Sequence, residues 1–160
     1  MSTVDSVFLA VRRGLGEVGE VGDWLVEVVD AEVMAAEAKA VRLRMRGANG
    51  KDWFGVVVHA NGYVAPGPEP DEVQAMDRYP IEVQVRGGSD GALHREAGRL
   101  FDALIGARPD GPALLVHNLE TLVAAHLPGV GTHMFEPPIT PDVEDMDTWW
   151  VWVVGVPYGV

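Results

Sequence analysis

The chain has 160 residues and a mass of 17.2 kDa, 48% of its residues are hydrophobic, and it carries 24 acids against 12 bases for a formal charge of −12. That hydrophobic share excludes disorder and the length favours one core over two, so residues 1–160 read as a single domain. There is no cysteine, which removes disulfide scaffolds, thiolate metal sites and cysteine nucleophiles together, and the acidity disfavours nucleic acid and anionic membrane as partners.

In chain order, Ser6 to Arg13 reads as a strand, followed by the glycine-rich stretch Gly14–Gly22. Gly14-Leu15-Gly16-Glu17-Val18-Gly19 is a literal G-x-G-x-x-G. Glu17, Glu20 and Asp23 around it would repel a pyrophosphate, so a glycine-rich turn is the better reading and no nucleotide cofactor is expected. From Asp23 to Ala38, Trp24, Val28, Ala31 and Ala35 share a helical face, although Trp24 to Val29 is also rich in β-branched residues; helix is the preferred reading.

Val41, Leu43 and Met45 alternate with Arg42, Arg44 and Arg46, the period of a half-buried strand. Asn49-Gly50 then turns the chain into a returning strand Trp53–His59, and Asn61-Gly62 turns it again into Tyr63-Val64, completing a three-stranded meander. Pro66, Pro68 and Pro70 make 65–70 a loop. Ile81 to Arg86 is the next strand. Ser89 caps a helix whose Leu93, Ala97, Leu100, Phe101, Leu104 and Ile105 form one apolar stripe, ending near Gly106.

Ala113–Val116 reads as a short strand, and the order strand–helix–strand from Ile81 to Val116 suggests a crossover with parallel pairing. Asn118 is expected to cap a further helix carrying Leu119, Leu122, Val123 and His126, stopped by Pro128-Gly129. Residues 134–147 form a Pro/Asp-rich loop, and Thr148–Val154, with three tryptophans, reads as a buried closing strand. The sum is an α+β fold: a mixed, mainly antiparallel sheet of about five to seven strands with two or three helices packed on it.

Function is less legible than fold. Acids concentrate in 17–37 and again at Glu136, Asp142, Glu144, Asp145 and Asp147, beside Trp149. Solvated faces account for both stretches. A sharper reading makes Glu136, Asp142, Glu144, Asp145, Asp147 and Trp149 an acidic rim around an aromatic anchor that docks a basic protein. A small cytoplasmic protein that neutralises a cationic toxin or nuclease, as bacterial immunity proteins do, is one form of it, by analogy of charge and size alone.

The alternative is a small-molecule or metal-binding enzyme using His117, His126 and His133, although no tight metal-ligand motif is present and no metal or cofactor is expected. Ser2, Ser6 and Ser89 are the only serines and none sits in a nucleophile elbow, so the leading reading is non-catalytic. Arg42, Arg44 and Arg46 would project from one face about 6.6 Å apart, and cross-strand pairing with acids is their simplest use. A third reading is a homo-oligomeric structural subunit, a homodimer in its simplest form, pairing through the C-terminal strand.

Overall fold

The computed structural model describes residues 3–10, 18–62, 69, 70 and 72–156. Among them, eight strands form one entirely antiparallel sheet: β1 Asp5–Leu9, β2 Glu32–Ala36, β3 Ala40–Arg46, β4 Trp53–Ala60, β5 Ile81–Arg86, β6 Ala113–His117, β7 Thr121–Leu127 and β8 Gly131–Met134. Their spatial order is β2-β3-β4-β5-β1-β6-β7-β8. Three helices accompany them: α1 Val18–Val29, α2 Asp90–Ala107 and α3 Met146–Val153. The fold is α+β, with slightly more strands than the pattern suggests. None of these helices is long and apolar enough to cross a membrane.

The β3–β4 hairpin forms as its sequence dictates. Val41, Leu43 and Met45 turn inward with Phe54, Val56 and Val58, while Arg42, Arg44 and Arg46 face the other side. At the turn, the Asn49 Oδ1 accepts from the backbone of Lys51 (2.9 Å) and Asp52 (3.1 Å), and Gly50 supplies φ 73°. In α2, Ser89 Oγ accepts from the Ala92 N–H at 3.3 Å and the stripe Leu93, Ala97, Leu100, Phe101 and Leu104 is buried. Helices α1 and α2 cover one face of the sheet, over a core built from β1, β3, β4, β5 and β6.

Among the described residues, the opposite face is covered only in part. Phe8, Leu114, Val116, Leu122 and Ala125 form a second core there with Trp149, Val153 and Val156 and with the short 3-10 turn Ala75–Arg78. Strands β1 and β6 therefore lie between two apolar layers, and every residue of β1 is buried. That leaves Asp5 and Ser6 as buried polar groups that need partners.

Several expectations are corrected. The 23–38 segment divides into α1, which begins at Val18, and strand β2, with Asp30 at φ 54° between them. Gly22 belongs to this helix, where an added Cβ would lie 3.1 Å from Val41 Cγ1, so it serves close helix–sheet packing. Residues 14–17 of the G-x-G-x-x-G stretch, and Tyr63-Val64, lie outside the described residues; strand β4 pairs with β5 instead. The β5–α2–β6 crossover does join two strands of like direction, but β1 is inserted between them and pairs antiparallel with both.

The helix expected after Asn118 is strand β7. Asn118 (φ 50°) and Leu119 (φ 58°) form a left-handed turn closed by the Glu120 N–H to His117 O at 2.9 Å, which returns the chain antiparallel to β6. The closing segment is helix α3 rather than a strand. Both sheet edges are already taken by β2 and β8, and Trp149, Val153 and Val156 recur at helical spacing to cap the second core.

Candidate metal centre

The residues singled out near the C-terminus do not form one surface. Trp149 is fully buried in the second core, with its indole Nε1 donating to Asp142 O at 3.0 Å, so it is no exposed anchor. Asp142 accepts from Gln74 Nε2 at 2.9 Å, which pins the loop to the 3-10 turn. Asp145 Oδ2 accepts from both the N–H (2.7 Å) and the hydroxyl (2.9 Å) of Thr140, and these bonds hold its carboxyl below the usual carboxylate range. Glu136, Glu144 and Asp147 are exposed. Of the tryptophans in this helix, Trp150 is the one with an open edge, under the Arg78 guanidinium 5.4 Å away.

The three histidines proposed together are also separated. His126 is buried on β7; its Nε2 faces Pro109 O at 2.8 Å and its Nδ1 faces the Thr132 hydroxyl at 3.0 Å. A neutral ring that donates from Nε2 and accepts at Nδ1 satisfies both contacts, so His126 ties the β7–β8 hairpin to the loop after α2. His133 faces the other side of the sheet and stacks on Trp152, with centroids 4.8 Å apart.

His117 has different company. At the end of β6 it lies opposite Asp5, and α2 brings His94 over the same spot one turn after its cap. Asp5 Oδ2 is 2.6 Å from His94 Nδ1 and 2.7 Å from His117 Nδ1, while Asp5 Oδ1 receives the Asn118 N–H at 3.3 Å. The two imidazole rings lie close together, their centroids 3.8 Å apart and their planes tilted by 32°. The carboxylate is fully buried, whereas the imidazoles are 37% and 22% exposed, so the group opens to solvent on the histidine side.

One detail separates this group from an ordinary buried hydrogen-bond network. The His94 contact is an aligned hydrogen bond; His117 Nδ1, though as close, is too poorly aligned for one and has no other partner among the described residues. Two ring nitrogens thus converge on one carboxylate oxygen, and all three ligand atoms lie within 4.8 Å of one another. A tetrahedral ion bound at about 2.0–2.1 Å spaces its ligand atoms about 3.3 Å apart, so seating one here opens the two short contacts by roughly 0.6 Å. Partly exposed imidazoles can move that far.

A second polar cluster lies on the other face of β1. The Ser6 hydroxyl donates to Glu82 Oε2 at 2.6 Å, and His59 Nε2 stands 3.0 Å from Glu82 Oε1. The carboxylate sits between serine and histidine, so the histidine cannot take the serine proton, and this is a buried anchor rather than a nucleophile site.

No family model, curated protein or solved structure matches the chain. Function therefore rests on the side chains alone. The sequence singles out His117 but pairs it with His126 and His133; its grouping with Asp5 and His94 escapes sequence reasoning because 89 residues separate Asp5 from His94 and their meeting is tertiary. The one local signal is an acid heading a strand that is otherwise apolar enough to be buried on both faces.

Proposed function

We propose that this chain binds a divalent transition-metal ion, zinc being the simplest, through Asp5 Oδ2, His94 Nδ1 and His117 Nδ1. The convergence of both imidazole nitrogens on one buried carboxylate oxygen carries this reading. Two imidazoles and a carboxylate suit zinc and its first-row neighbours better than calcium or magnesium, which prefer all-oxygen sets. Three protein ligands leave a fourth position for water or a substrate oxygen on the open histidine side, as in catalytic rather than closed structural zinc sites. The chemistry such an ion supplies is Lewis-acid activation of that ligand.

Calorimetric titration of the metal-free protein with zinc tests the reading. One ion per chain should bind, and Asp5→Asn, His94→Ala and His117→Ala should each weaken binding by about tenfold or more. His126→Ala and His133→Ala should leave the affinity intact. Zinc binding that survives all three ligand substitutions, or no stoichiometric binding at all, would overturn it.

A second reading retains the acidic surface as a docking site for a basic protein. Glu20, Asp23 and Glu27 of α1 line an open hollow with Trp24, Val28 and Arg108, whose guanidinium lies 5.8 Å from the Trp24 ring, and Glu20 Oε2 is buried there without a partner among the described residues. An unpaired carboxylate oxygen beside an indole favours a cationic side chain as the missing contact.

A further inference from the structure

The half of the sheet that no described residue covers, on the side away from α1 and α2, has a character unlike the rest of this acidic chain. Arg42, Arg44 and Arg46 of β3, Trp53, Gly55 and Val57 of β4, and Gln84 and Arg86 of β5 share that face by strand alternation. Gly55 lies at its centre, in register with Arg44 on one side and Arg86 on the other. A Cβ added at Gly55 would meet nothing nearer than Arg86 O at 4.0 Å, so the glycine leaves a patch of open backbone between two arginine-bearing strands.

The guanidinium groups around this hollow are already positioned. Those of Arg44 and Arg46 lie 4.0 and 4.4 Å from the centroid of the Trp53 ring. Arg44 Nε donates to Glu32, Arg46 to Gly50 O and Arg86 to Gln84 Oε1, and each guanidinium carries five N–H donors. Four arginines thus share the sheet face on which exposed Gly55 lies, opposed at the rim by Glu32, in a chain whose net charge is −12. Glu82, the other acid at the border, is buried and engaged with Ser6 and His59.

We propose that this face is an anion site that seats the phosphate of a small phosphate-bearing molecule over Gly55, between Arg44 and Arg86. Planar guanidinium forks match phosphate oxygens in pairs, and stacking on Trp53 lowers the entropy lost when they bind. The ligand is small because the positive field is confined to this face; an extended polyanion would run onto the acidic remainder of the surface. The site is on the opposite side of the sheet from Asp5, so it stands or falls separately from the metal centre.

Inorganic pyrophosphate titrated into the full chain at low ionic strength, followed by backbone amide shifts and calorimetry, tests this. Saturable shifts centred on Gly55, Arg44 and Arg86 are expected. Gly55→Val, which fills the hollow without changing charge, and Arg86→Gln should each weaken binding by about tenfold, the scale of one charge-assisted contact. Arg95→Gln, on α2, should leave affinity unchanged, and thermal melts establish that each variant is folded. The proposal fails if millimolar pyrophosphate gives no saturable shift or if neither variant weakens binding. It fails equally if an unstructured oligonucleotide binds more tightly with increasing length and pyrophosphate does not compete.

Discussion

Tyr79 is among the largest fully buried side chains, and its hydroxyl has no partner among the described residues. Burial alone pushes its phenol above the ordinary range, since nothing nearby favours the anion. Tyr79→Phe should therefore raise stability by about 1 kcal/mol by removing an unpaired polar atom from the second core. The gain should grow above about pH 10, where the unfolded tyrosine ionises but the folded one keeps its proton; the unfolded state then binds fewer protons, and wild-type stability falls as pH rises. Urea unfolding of both proteins at pH 7 and pH 10.5 (roughly half a unit above the free phenol) measures this, and a less stable phenylalanine variant would show that the hydroxyl is satisfied. At the same scale, Asp5 and Trp149 share a lesson. An acid that looks like a strand boundary is buried beneath two histidines, and a tryptophan that looks like an anchor is sealed in a core.

Among the elements, α2 and the β3–β4 hairpin are plain in the sequence because each carries its own period, cap or turn residues. The β7 segment is not, since Leu122, Val123, Ala124, Ala125 and His126 form an apolar run short enough to suit either period, and the left-handed turn at Asn118-Leu119 decides for a hairpin. Helix α3 overrides β-rich composition for a packing reason: helical winding lets Trp149, Val153 and Val156, at i, i+4 and i+7, enter the second core together, whereas alternation along a strand would put Val156 on the opposite face from the other two. Trp149→Ala should accordingly cost about 3–5 kcal/mol. Trp150→Ala, at an exposed position, should cost less than about 1 kcal/mol. Thermal unfolding distinguishes them; equal and small effects would mean that α3 is peripheral to the fold.

On the scale of the whole molecule, acids of α1 and arginines of the sheet lie on opposite sides, although α2 adds Arg95 and Arg99 to the helix side. The helix side carries Glu20, Asp23 and Glu27 on α1, while the arginines of β3 and β5 face away from it. If the acidic side docks a basic protein, a partner captured from native lysate should dissociate steeply as salt rises and should not be captured by the Glu20→Gln/Glu27→Gln variant. Recovery of the chain alone at every salt concentration would count against that reading. The metal centre has a global signature too: zinc at a hundredfold excess over its dissociation constant should stabilise the fold by about 2.7 kcal/mol, because the unfolded chain scatters the three ligands.

By itself, the sequence determined the α+β class, the acidity, the capped helix α2, the central hairpin and the arginine alternation of β3, all set by neighbours within a few residues. Only the tertiary structure decided that β1 is inserted between β5 and β6, that β7 is a strand, and that α3 closes the second core. It alone joins Asp5, His94 and His117, because their proximity depends on which strands pair and where a helix crosses them. No periodicity along the chain encodes that meeting.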